Sequence, residues 1–202
     1  MSVPKSERKT STMEYIATAR KLAAKVFRYS NGLPKRYAFR LGNPLFEHAQ
    51  EVVFHVNAAN QTYVNDRAGF EQRRMHLNEA QAHLQHVESY LDILREVTQQ
   101  LHDEELHRLD AKLAEVGLSV HDVDNADVRD ALKKLPKAPN ENVYAEFAEL
   151  IASERSLIGG VKKNDTAKYK EVVQPKEEER KAAEFERMYN RMREKQAGGG
   201  AT

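Results

Sequence analysis

Residues 70–101 carry an apolar repeat that leaves little freedom in the choice of fold. Phe70, Leu77, Leu84 and Leu91 lie seven apart, and Ala80, Val87, Leu94 and Leu101 lie seven apart with an offset of three. Two interleaved rows at that spacing form an a/d seam, an apolar stripe along a helix that must be buried against other helices. Arg73 is the one misfit, at the start of the seam. The pattern predicts a helix over about 66–100, roughly 50 Å long at 1.5 Å per residue.

Other segments repeat at helical spacing around it. Ser11 and Glu14 stand at capping-box distance, so a first helix is expected from there, with residues 1–10 disordered. Its stripe is Ile16, Ala19, Leu22, Ala23, Val26 and Phe27, and Gly32 is expected to supply a left-handed stop. Residues 33–42 read as a basic, aromatic connection. Asn43-Pro44 then predicts a helix start, with Asn as cap and Pro at the first helical position. Leu45, Ala49, Val52, Val53, Val56 and Ala59 form the second stripe, and Asn60 to Asp66 a loop. Asp103 is expected to cap a separate short helix ending at Gly117, and 103–139 reads as an insertion with Asp127 as a further cap. Asn140 opens a last stripe of Val143, Phe147, Leu150, Ile151, Glu154, Leu157, Ile158 and Val161, which Gly159-Gly160 weakens without stopping. Beyond Pro175, the residues Ala182, Phe185, Met188, Tyr189 and Met192 give a narrow stripe on a charged helix. No stretch alternates at period two long enough to demand a sheet. The expected fold is all-α: an antiparallel four-helix bundle over 11–163, with a short helical insertion and a charged, partly helical flexible tail over 164–202.

Composition narrows the chemistry. A length of 202 residues has room for one domain plus appendages. Cysteine is absent, which excludes disulfides, thiol nucleophiles and zinc-thiolate sites. No apolar run approaches a membrane span, and the polar start MSVPKSERKTST lacks the apolar core of a signal peptide, so a cytoplasmic protein is expected. Charge is more telling. The net is +1, yet residues 1–75 hold 13 Lys/Arg against 6 Asp/Glu, a net of +7, and the remainder nets −6. Such segregation fits nucleic acid at the basic half, or the acidic half of a neighbouring copy, or plain solvated helix faces.

Catalytic patterns are not legible. A di-metal carboxylate bundle needs two Glu-x-x-His tetrads, and Glu104-x-x-His107 is the only one on a plausible helix. His76, Glu79, His83 and His86 share a flank beside the seam and read as a polar cluster rather than a metal site. No glycine loop cradles phosphate, and no nucleophile elbow or Ser/His/Asp set is present. No enzyme, metal or cofactor is expected.

The basic half offers a binding surface instead. Lys21, Lys25 and Arg28 fall on one face of the first helix, Lys35, Arg36 and Arg40 interleave with Tyr37 and Phe39, and Arg73 and Arg74 open the long helix. Cations for phosphates, with aromatics for stacking, suit single-stranded or structured nucleic acid. For Tyr37 and Phe39 themselves the favoured reading is that they close the end of the bundle, and for the cations as a group it is nucleic-acid contact.

The segment LPKRYAFRLGNPLFEHAQEV, a helix ending in HVNAAN, and the long helix LNEAQAHLQHVESYLDILREV follow one another in an order that resembles a known group. The chain is similar to the four-helix bundle proteins encoded in 23S ribosomal RNA intervening sequences. That superfamily includes the accessory variability determinant proteins of diversity-generating retroelements. The resembling residues are Leu33, Pro34, Lys35, Tyr37, Phe39, Leu41, Ala49, Ala59 and Asn60, and ASERSLIGGVKKND resembles the last bundle helix. The resemblance implies a homo-oligomeric ring, typically a pentamer, that binds RNA or RNA/DNA and partners a reverse transcriptase. The first expectation is thus a non-catalytic RNA-binding accessory protein, with Lys21, Lys25, Arg28, Lys35, Arg36, Arg40, Arg73 and Arg74 as phosphate contacts. The alternative is a structural protein–protein adaptor bundle without nucleic-acid binding.

Overall fold

The computed structural model describes residues 13–198, and among them the chain is helical without a strand. Ser11 of the expected capping box, the segment 1–10 and the final 199–202 lie outside the described residues. The elements are α1 (Glu14–Asn31), a single turn α2 (Lys35–Tyr37), α3 (Asn43–Gln61), α4 (Arg67–Ala114), α5 (Ala126–Lys133), α6 (Glu141–Lys168) and α7 (Gln174–Gly198). The described chain divides into two compact units. Unit 1 holds residues 13–21, 51–82 and 153–198, and unit 2 holds Leu22–Gln50 and His83–Ala152.

Helix ends follow local chemistry, not always at the residue the pattern suggests. Asp66 starts α4 by accepting the Gly69 N–H at 2.7 Å. Asn140 starts α6 by accepting the Asn142 N–H at 3.1 Å. Asn125, not Asp127, caps α5, because its side chain accepts from the Asp127 N–H. Gly117 ends α4 in the left-handed region at φ +72°, and the Leu118 N–H returns to the Leu113 carbonyl at 2.9 Å. Gly32 is not left-handed. Gly32 and Leu33 donate three residues back, to Tyr29 and Ser30, and this tightened turn uses the last carbonyls without a positive φ.

Two expected boundaries are absent. Asp103 does not start a helix: α4 runs 48 residues, about 70 Å, through it. The Asp103 carboxylate accepts from the Gln99 side chain one turn back instead of capping. Asn43 is not a cap either. It has helical angles, and its N–H reaches five residues back to the Ala38 carbonyl. Residues Ala38–Gly42 are a π-helical turn that leads straight into α3, and Tyr169–Val173 are a second one between α6 and α7. Each π turn ends two residues before a proline, Pro44 or Pro175. Proline has no N–H to donate four residues back, and its ring crowds that carbonyl. Widening the preceding turn relieves both and keeps the chain helical.

The seam is buried from Leu77 to Leu94, while Phe70 and Leu101 at its ends are only half-buried. In unit 1, Leu77 and Ala80 join Tyr15, Ala19, Val52, Val56, Ala59, Ile158 and Val161 in the core. In unit 2, Leu84, Val87, Leu91 and Leu94 join Leu22, Val26, Leu45, Ala49, Phe147 and Ile151. The segment after α4 is held within unit 2: Asp110 accepts from the Val120 N–H at 3.0 Å, and the His102 Nδ1–Pro136 carbonyl pair lies at 2.7 Å.

Candidate nucleic-acid interface

Pro34 sets the basic turn of unit 2. Its extended ψ of 142° starts α2, and Tyr37 and Ala38 donate back to its carbonyl. The π turn then carries Phe39 and Arg40 on the surface and seats Gly42 in the interior, where an added Cβ would lie 3.2 Å from the Leu33 side chain. Lys35, Arg36 and Arg40 are exposed and have no acidic partner among the described residues. Arg36 stands over the Tyr37 ring at 4.8 Å, and Tyr37 is half-buried. Phe39 is 78% exposed, so it does not close the end of a core. Three cations and a bare aromatic ring within six residues form a surface suited to phosphates and a stacked base.

The other expected contacts separate by environment. Arg28, in unit 2, and Lys21, in unit 1, are exposed, without an acidic partner among the described residues. Lys25 is committed to unit 2: its ammonium pairs with Glu146 and sits 4.8 Å above the Phe147 ring. Beside it the Tyr29 hydroxyl meets that of Tyr144 at 2.5 Å, and burial, reinforced by that bond, pushes the Tyr29 phenol above its ordinary range.

Arg73 is a correction. It is only 9% exposed in unit 1. Its guanidinium pairs with Asp165 at 2.6 Å and donates to the Ala59 and Thr62 carbonyls at 2.7 and 3.2 Å. Asp165 balances its charge, and its bonds run to α6, to the end of α3 and to the loop that follows, so the structure holds it as a packing cation away from the exposed basic face. The break it makes in the heptad seam was the available signal. Arg74 points elsewhere, donating to the Thr166 hydroxyl at 3.2 Å.

The histidine flank of α4 meets the histidines of α3 within each unit. In unit 2, His83 faces His48 of α3, Nδ1 to Nδ1 at 2.9 Å, and His86 stacks on His48 with centroids 4.7 Å apart. In unit 1, His76 faces His55, Nδ1 to Nδ1 at 3.1 Å. Glu79 is exposed, as are Glu104 and His107. The α3 histidines were missed because seven-residue spacing on a small-residue helix reads as ordinary surface. Two imidazole nitrogens this close share one proton between donor and acceptor.

A buried acid completes unit 1. Glu154 is fully buried, and neither carboxyl oxygen has a hydrogen-bond partner. Burial pushes its carboxyl up to about 8. The Tyr15 hydroxyl, also without a partner, is raised by burial against the opposing pull of Arg73. Comparison with protein-family models, curated proteins and solved structures returns no match to this chain.

Proposed function

We propose that this chain is a non-catalytic RNA-binding accessory protein that supports a reverse transcriptase. Its α1, α3, α4 and α6 are read as an antiparallel four-helix bundle that assembles into a ring. The observation that carries the reading is the turn at Lys35–Arg40. Its three cations have no acidic partner among the described residues, and Phe39 stands bare between them. A purely structural bundle end would bury that ring, since an exposed Phe forgoes roughly 1.5–3 kcal/mol of burial. The residues of the family resemblance, Leu33 to Leu41 above all, form the same turn. Lys35, Arg36 and Arg40 are the principal contacts, with Arg28 and Lys21 as outer cations.

Salt dependence tests this reading. Each phosphate neutralised on a single strand contributes about −0.7 to the slope of log affinity against log salt. Changing Lys35, Arg36 and Arg40 together to Ala is expected to flatten the slope by about 2. Gel shifts with a single-stranded RNA at several salt concentrations give the slopes for wild type and triple variant. An unchanged slope with helical circular dichroism preserved would remove the site from this turn and favour a protein–protein adaptor.

A further inference from the structure

Unit 1 has a second group of cations that the sequence reading left unconnected. Lys162 and its neighbour Lys163, then Thr166 and Lys170, follow one another along α6 and its π-helical extension, and together with Arg74 of α4 they line a shallow, open depression. No carboxylate lines it. Asp165, the nearby acid on α6, is taken by Arg73.

We propose that this depression binds a phosphate oxyanion, either free or within a nucleic-acid backbone. Two of the cations, Lys162 and Arg74, are held in advance. Lys162 Nζ is anchored by the side-chain oxygens of Asn78 at 2.6 Å and Gln81 at 2.8 Å, which leaves one of its three N–H bonds for a ligand. Arg74 is braced by the Thr166 hydroxyl and by the Phe70 ring 5.9 Å away, and Phe70 stacks on Tyr169 at 4.4 Å. Lys163 and Lys170 are exposed and have no acidic partner among the described residues. Four positive charges converge without a counter-charge, and the crowding is felt: burial, then the Arg74 charge, hold the Lys162 ammonium below its ordinary pKa. An oxyanion would relieve that repulsion while accepting charge-assisted hydrogen bonds from several directions. The inference stands apart from the Lys35–Arg40 turn, with which it shares no residue.

Line broadening of inorganic phosphate in phosphorus NMR, with the full chain at constant ionic strength, reads occupancy directly. Wild type is expected to broaden the signal saturably. The double variant Lys163→Gln/Lys170→Gln, both positions solvated, is expected to bind phosphate at least about fivefold more weakly. Adding an unphosphorylated uridine 15-mer separates the sources: displacement of phosphate assigns the site to a nucleic-acid backbone, and continued broadening assigns it to free phosphate. Undiminished binding by the double variant, with its helical content intact, overturns the proposal. So does displacement by polyglutamate as effective as by the 15-mer, which would mark a site for acidic protein.

Discussion

Glu154 sits in the apolar stripe of α6, where any acid must either find a partner or stay neutral. It has no partner and is held protonated up to about pH 8. Its ordinary value is 4.5, so between 4.5 and 8 the folded chain binds a proton that the unfolded chain has released. That contribution to stability is complete below 4.5, declines as pH rises to 8, and is level above. The melting temperature of wild type should therefore fall relative to that of Glu154→Gln from pH 6 to pH 9; parallel curves in a thermal-melt series would contradict the buried, neutral acid. Arg73 is the opposite case, a charge whose partners are all in place. Truncating it leaves Asp165 unpaired and removes the guanidinium hydrogen bonds to the Ala59 and Thr62 carbonyls. Arg73→Ala is expected to cost about 3–5 kcal/mol in urea unfolding. A loss below about 1 kcal/mol would return Arg73 to the surface cations.

The two prolines matter at the scale of the element. Pro44 and Pro175 read locally as punctuation, yet the chain passes both as helix by widening one turn. What decides this lies outside the local pattern: Gly42 fits against Leu33 and Ser30, and Val173 is buried in unit 1. These contacts hold the backbone on its helical path where the missing N–H would otherwise release it. Beyond Val173 little holds α7 among the described residues. Phe185, Met188, Tyr189 and Met192 are all at least half exposed, and the Glu177 carboxylate accepting the Arg67 N–H at 2.7 Å ties down only its first turn. Deleting residues 174–202 is expected to shift the melting temperature by less than about 3 °C, since one exposed contact contributes at most about 1 kcal/mol. A drop of 10 °C by differential scanning calorimetry would make α7 part of the core.

At the scale of the whole molecule, the proposed ring would gather the basic half of each copy. Five copies of the +7 in residues 1–75 would total about +35, screened over about 8 Å at physiological salt. Light scattering at micromolar concentration is expected to show an oligomer near five chains, and a clean monomer would count against the ring. Among the described residues no helix is long and apolar enough to cross a membrane. Much of the helical content was determined by the sequence itself. The seven-residue rows of α4, the stripes of α1, α3 and α6, and the stop at Gly117 all follow from spacing and from glycine's freedom at positive φ, which are properties of neighbouring residues. The charged turn at Lys35–Arg40 was legible for the same reason. Three features were decided only by tertiary structure: the burial of Arg73 against Asp165, the meeting of His48 with His83, and the convergence of Arg74 with Lys162 and Lys170. Each joins residues far apart in the chain. Whether a cation is solvated, paired or gathered with others depends on which side chains packing brings within a few ångströms, and local periodicity carries no information about that distance.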